Sequence, residues 1–309
     1  MRPEIETVDH VLTGERSKVL DFIELMKPEL TGLSVLTALC GFYLATEGPM
    51  DVFIFLWTAL GTVMVGGGAG ALNQYVERSY DALMKRTERR PLPSGRLSPG
   101  TVLAFGIMLS LGGITLLLLT VNVLTALLGS VTLLSYLFLY TPLKRITHYS
   151  TLIGGIPGAL PPVMGWSAAG KGIDEGAILL FAILFFWQMP HFLSLAWMYR
   201  KDYARAEYKM LSVIDTDGSR TGHHCLFHSL ALLPASIGLT IAGITGYAYL
   251  GLAVFLGFGF ILYSLSFARS SKKTDDLHRS RLTLSSRKLF FASLVYLPVL
   301  MIGMVIDKL

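Results

Sequence analysis

Long apolar blocks alternate with short polar connectors along the whole chain. The blocks run at about 29–47, 51–71, 100–119, 121–141, 150–169, 175–199, 227–246, 248–268 and 289–306. A helix rising 1.5 Å per residue needs about 20 residues to cross the hydrocarbon of a bilayer, and these blocks sit near that length. The pattern therefore predicts an all-α integral membrane bundle of nine transmembrane helices, a single polytopic domain over residues 1–309. Gly and Pro interrupt several blocks, which membrane helices tolerate better than soluble ones.

Charge gives an independent check on that count. With a cytoplasmic N-terminus the near-side pieces are 1–28, 72–99, 142–149, 200–226 and 269–288, and they carry 4, 6, 2, 5 and 7 Lys and Arg. That is 24 of the chain's 26, with Lys171 and Lys308 left for the far side. Nine spans with the C-terminus outside thus satisfy the positive-inside rule, where a miscounted helix would put basic loops on both faces. Two near-side connectors, 72–99 and 200–226, are long and polar, so the reactive face is expected to be cytoplasmic.

Composition supports the membrane reading and narrows the alternatives. Of 309 residues, 52% are hydrophobic and 15% charged, well below the roughly 25% charged of a soluble domain. The net charge of +5 lies in connectors between apolar blocks, which argues against a nucleic-acid partner and for a bilayer surface. Cys40 and Cys225 suggest buried small residues rather than a disulfide or metal site. The first 27 residues, through Asp9, Glu15, Arg16, Lys18 and Lys27, lack the pattern of a signal peptide and hold too many acids for an organelle presequence. A bacterial or archaeal plasma membrane is the simplest location.

Candidate chemistry gathers in two places. Asn73, Glu77 and Asp81 follow a glycine-rich end of the second block at spacing i, i+4, i+8, so a continuing helix stacks them with about 40° of drift per step. Three oxygen-bearing side chains at a membrane helix end are costly unless neutralised, and Mg2+ suits them, since it takes carboxylate and amide oxygens and completes its shell with water and phosphate. Lys85, Arg86, Arg89, Arg90 and Arg96 would hold the remaining phosphate oxygens. The bland alternative is an amphipathic helix end with solvated charges. At the second place Gln188, His191 and Asp202 are expected to form a polar ladder on one face descending into the loop, with Asp202 as a second cation ligand and Arg205 and Lys209 beside it. His191 is open to three readings: a helix–helix hydrogen bond, a base or substrate contact, or a haem ligand. Lys144 and Arg145, after Tyr140, are either loop anchors or anion binders. His223, His224 and His228 do not complete a zinc set.

These strings resemble the UbiA superfamily of intramembrane prenyltransferases, and within it the haem-modifying branch. The resemblance rests on Asn73-x3-Glu77-x3-Asp81, on Lys85-Arg86-Thr87-x-Arg89-Arg90-Pro91, on Tyr140-Thr141-Pro142-Leu143-Lys144-Arg145, and on Trp187-Gln188-Met189-Pro190-His191-Phe192 leading to Asp202-Tyr203. It implies nine helices around a central cavity and two regions that bind diphosphate through Mg2+: Asn73, Glu77, Asp81 and Asp202 as metal ligands, and Lys85, Arg89, Arg90, Lys144, Arg145, Arg205 and Lys209 on the diphosphate. Tyr140, Gln188 and His191 are the candidate acceptor contacts. Ala206 stands where many quinone-branch members have an acid, which leaves the second metal site incomplete. The implied reaction moves a farnesyl group from farnesyl diphosphate to the 2-vinyl group of haem b, giving haem O, with haem A synthase or a terminal oxidase as possible downstream partners. The competing readings are a quinone-precursor prenyltransferase and a membrane transporter, the latter disfavoured because the polar groups lie at one face rather than at mid-membrane.

Overall fold

The computed structural model describes residues 18–270 and 276–309. The charged residues before Lys18, and Lys272 and Lys273 of the last near-side piece, lie outside them. The described chain is helical nearly throughout: α1 (Lys18–Leu25), α2 (Pro28–Ala45), α3 (Val52–Asp81), α4 (Pro99–Thr120), α5 (Val123–Leu134), α6 (Thr141–Ile146), α7 (Ser150–Ala168), α8 (Glu175–Met198), α9 (Arg200–Arg205), α10 (Leu211–Ile214), α11 (Ser219–Ile241), α12 (Tyr247–Arg269) and α13 (Asp276–Ile306). A π-helical turn, Ser135–Tyr140, joins α5 to α6 so that the three form one span.

Among the described residues, eight helical spans are long and apolar enough to cross a bilayer. The predicted ninth is α7, and its place in the bundle explains its lower hydropathy. This helix packs against α2, α5 and α8, and buries Pro157, Pro161, Pro162 and Trp166. A helix facing protein rather than lipid does not need a continuous apolar surface. Consecutive spans pack side by side and α13 returns to α2, closing a ring. The integral membrane bundle expected from the pattern is therefore the fold observed, with edges moved. Helix α3 runs ten residues past the predicted block, while α11 and α13 start well before theirs, because polar residues extend these helices beyond the hydrocarbon.

Close backbone approach holds α7 in the middle. A Cβ on Gly165 would meet the Ala38 carbonyl of α2, and one on Gly41 would meet the Pro162 carbonyl. Gly165→Val is therefore expected to destabilise the bundle by the ~1–3 kcal/mol typical of overpacking or more, read as a lower thermal unfolding midpoint in detergent. Gly32→Ala, where an added Cβ meets nothing within 4 Å, should leave the midpoint unchanged or raised.

The two ends of the bundle differ. At one end lie the C-termini of α3, α8 and α12 with the connectors that follow them. At the other end Lys171 pairs with Glu47 at 2.5 Å, and Lys308 donates to the carbonyls of Tyr43 and Thr46. Both residues left over by the charge count thus sit together at the end opposite the long connectors. Cys40 and Cys225 are free and buried.

Candidate active site

Helix α3 continues without a break from Val52 to Asp81, so Asn73, Glu77 and Asp81 do form one stripe. All three are buried, with at most 4% exposure, which removes the solvated helix end as an account of them. Each meets a cation from a different part of the chain. Lys27, at the N-cap of α2, donates to Asn73 Oδ1 at 2.5 Å; Lys144 of α6 pairs with Glu77 at 2.8 Å; Arg90 pairs with Asp81 at 2.8 Å. The second carboxylate oxygen of Asp81, Oδ1, is buried with no hydrogen-bond partner. A buried carboxylate oxygen without a donor is costly. That orphan, in a row of oxygen donors ringed by positive groups, fits a hard divalent cation and a polyanion.

Local structure explains how these groups converge. In the loop after α3, Thr87 Oγ1 donates to the Asp81 carbonyl at 2.8 Å, turning the chain so that Arg90 folds back. The π turn brings Tyr136 and Tyr140 next to each other, 5.4 Å between ring centroids, and sets Thr141 to accept from Asn73 Nδ2 at 3.1 Å. The Lys144 ammonium lies 4.4 Å from the Tyr140 ring centroid, a cation–π contact, and Arg145 covers Tyr80 at 3.6 Å while donating to its hydroxyl at 2.9 Å.

The second connector docks on the first. Lys209 donates its backbone N–H to the Lys144 carbonyl at 2.8 Å, which carries Tyr208 in among Tyr80, Tyr203 and Lys144. Arg86 reaches the Tyr203 hydroxyl at 3.4 Å from the other loop. Burial raises the Tyr208 phenol well above its ordinary value, so its hydroxyl keeps its proton. That hydroxyl is buried without a partner, as is Asp81 Oδ1.

Other sequence-based expectations come out differently. The ladder from Gln188 to Asp202 is interrupted, because α8 ends at Met198 and α9 begins at Arg200 after Tyr199. Gln188 is spent on the helix interface, donating to the Gly155 carbonyl at 2.6 Å, and His191 Nδ1 shares a hydrogen bond with Ser293 Oγ of α13 at 2.8 Å, its ring between Trp187 and Phe290. Of the three readings for His191, the helix–helix hydrogen bond is the one with a partner. Asp202 pairs with Arg205 at 2.9 Å, and Lys85, Arg89 and the Lys209 side chain are exposed at the loop surface. Arg96 is held by Asp21 at 2.9 Å and Glu24 at 2.8 Å, pinning α1 to the loop rather than facing the site. His223 and His228 hydrogen-bond to carbonyls of their own helix, and the described residues contain no group of three or more His, Cys, Asp or Glu placed to hold a metal.

Sequence reasoning missed Lys27, Tyr136, Thr141 and Tyr208. Lys27 is the most telling, since it adopts a left-handed backbone, φ 50° and ψ 65°, to turn its side chain inward between α1 and α2. Burial, reinforced by Arg90, pushes its ammonium down to about 7. Its signal in the sequence is a lone Lys before a Pro at the mouth of the first span, which local pattern does not distinguish from loop charge.

The UbiA prenyltransferase family profile matches residues 34–295, which contain nearly all of this site. The chain belongs to the UbiA prenyltransferase family. Among curated relatives it is 41% identical over 297 residues to the protoheme IX farnesyltransferase of Solibacter usitatus, covering 93% of this chain and 98% of the relative. It is 42% identical over 287 residues to the protein of the same name from Salinibacter ruber, at 93% and 98% coverage. Of solved structures, a digeranylgeranylglyceryl phosphate synthase superposes with TM-score 0.75 at 17% identity, over 93% of this chain and 99% of the other. A UbiA homologue from Archaeoglobus fulgidus, bound to DMAPP and Mg2+, superposes with TM-score 0.61 at 13% identity, over 90% and 99%. This UbiA-family chain is thus an enzyme, a membrane-embedded prenyltransferase.

Proposed function

We propose that the chain transfers a farnesyl group from farnesyl diphosphate to the 2-vinyl group of haem b, forming haem O and releasing diphosphate. The observation that carries this reading is the buried Asn73-Glu77-Asp81 stripe, ringed by Lys27, Arg90 and Lys144 and holding a carboxylate oxygen without a donor. The acceptor and the prenyl length rest on the curated relatives of the same name, matched over nearly their whole length.

Asn73, Glu77 and Asp81 would hold Mg2+, which supplies Lewis-acid stabilisation to the diphosphate leaving group. The chain's own groups do the rest. Arg90 and Lys144 stand at the same carboxylates and would turn to phosphate oxygens when diphosphate arrives, offsetting the charge that grows as the C1–O bond breaks. Lys27, which donates to Asn73 Oδ1, would give up that oxygen to the cation. The rings of Tyr140, Tyr80 and Tyr208 face the cations now and would face the allylic cation then. The vinyl π electrons attack farnesyl C1, and the resulting benzylic-type cation takes hydroxide from water, whose proton leaves to solvent or diphosphate. Asp202, Arg205 and Lys209 form the outer, solvent-side part of the same diphosphate region, on the cytoplasmic face.

Mass spectrometry of porphyrins extracted from membranes holding the protein, after incubation with haem b, farnesyl diphosphate and Mg2+, tests this directly. The expected product is a haem heavier by one farnesyl and one hydroxyl group, absent when Mg2+ is chelated. Unchanged haem from membranes that still release diphosphate with a quinone precursor would move the acceptor to the sibling branch.

A further inference from the structure

A groove of about 1190 Å³ runs between α12 and α13 on the outer surface of the bundle, away from the polar site. Gly251, Phe255, Gly259 and Tyr263 of α12 line one wall, and Phe291 and Val295 of α13 the other. Its apolar length from Gly251 to Tyr263 is 12 residues of helix, roughly 18 Å, close to the ~15 Å of one leaflet's hydrocarbon. At the end shared with the polar connectors the groove meets Arg287 and Lys288, then a recess of about 360 Å³ lined by Leu262, Arg269 and Arg281. That end is fixed by Gly218, whose added Cβ would meet both Leu282 of α13 and Trp197 at the end of α8.

Two features set this groove apart from the packed interfaces of the bundle. An added Cβ at Gly251 or Gly259 meets nothing within 4 Å, so these glycines do not serve packing within the protein, although glycine inside a helix costs about 1 kcal/mol relative to alanine. Arg269, Arg281, Arg287 and Lys288 are all exposed, and among the described residues no carboxylate pairs with them. Residues 269–288 carry 7 Lys and Arg against Asp275 and Asp276.

We propose that this groove is a binding site for an anionic phospholipid of the near leaflet, with an acyl chain lying along Gly251, Phe255 and Gly259 and the phosphate held by Arg281, Arg287 and Lys288. Charge decides between this occupant and a second copy of the chain. A two-fold copy in the same membrane orientation would set one basic rim against the other, whereas a phosphate headgroup neutralises it.

Native mass spectrometry of the full-length protein in detergent, titrated with phosphatidylglycerol or with phosphatidylcholine of identical acyl chains, tests the assignment. One phosphatidylglycerol is expected to be retained at least about tenfold more tightly than phosphatidylcholine. At roughly fivefold per cation, the triple variant Arg281→Gln, Arg287→Gln, Lys288→Gln should weaken phosphatidylglycerol on the order of 100-fold and phosphatidylcholine, whose choline offsets its phosphate, much less, so that the preference is lost. Gly259→Phe should exclude both lipids while prenyl transfer and the lipid-free unfolding midpoint stay at parental values; should it lower the midpoint, Gly251→Leu at the other end of the groove repeats the test. Equal retention of the two lipids by the parent, an undiminished preference in the triple variant, or undisturbed binding in the filled-groove variants would overturn the proposal. A parental dimer that Gly259→Phe splits would give the groove to a second copy instead.

Discussion

Asp81→Asn is expected to cut prenyl transfer by on the order of 10²–10³ while the bundle stays folded. The loss follows from charge: the substitution keeps the shape of the side chain but removes the anion that, with Glu77, makes the stripe a site for a divalent cation. Folding should survive because the stranded partner, Arg90, is 21% exposed and can turn to water. Asp81 Oδ1 has no donor to lose, so the structural penalty is small. Single-turnover rates with farnesyl diphosphate and haem b, alongside the unfolding midpoint, separate the two effects. Full activity at saturating Mg2+ would take Asp81 out of the metal set.

Lys144→Met carries the largest expected stability effect. Glu77 is 4% exposed and its ion-pair partner is the largely enclosed Lys144, so truncating the ammonium leaves a buried carboxylate without its direct cation. Breaking such a pair typically costs ~3–5 kcal/mol, far more than the intact pair is worth against apolar replacements. Millimolar Mg2+ should restore much of the lost midpoint, because a cation bound to Glu77 replaces the missing charge, while the parent protein should respond less. Lys144→Arg, which keeps the charge, should retain most of the stability but transfer more slowly, since the planar guanidinium stands differently over the tyrosine. A Lys144→Met protein whose midpoint ignores Mg2+ would show that Glu77 does not bind it.

What the sequence revealed of this site follows from distance along the chain. Asn73, Glu77 and Asp81 share one helix, so periodicity alone puts them on one face, and the basic run after them is only a few residues away. Lys27, Tyr136 and Tyr208 reach the same place from three separate parts of the chain, and no local pattern links them. The fold was legible for a related reason: hydrocarbon imposes one length on every span, and loop charge reports which side each span ends on. Helix α7 shows where that logic weakens, since a helix surrounded by protein escapes the demand of lipid. The break at Tyr199 shows another limit, because i, i+11 spacing from His191 to Asp202 implies a shared face only if the helix is continuous.

The π turn at Ser135–Tyr140 makes chain length itself a component of the site. Such a turn holds one more residue than the α-helical path it replaces, and a residue is worth about 100° of rotation about the axis. Everything after it is turned by that angle: Thr141, which donates to the Tyr136 carbonyl at 2.8 Å and meets Asn73, and then Lys144 on Glu77. The turn acts as a dial set one notch forward. Deleting a single lipid-facing residue there, with every reactive side chain retained, would relax it to an ordinary helix and swing the lysine more than a quarter-circle away from its carboxylate.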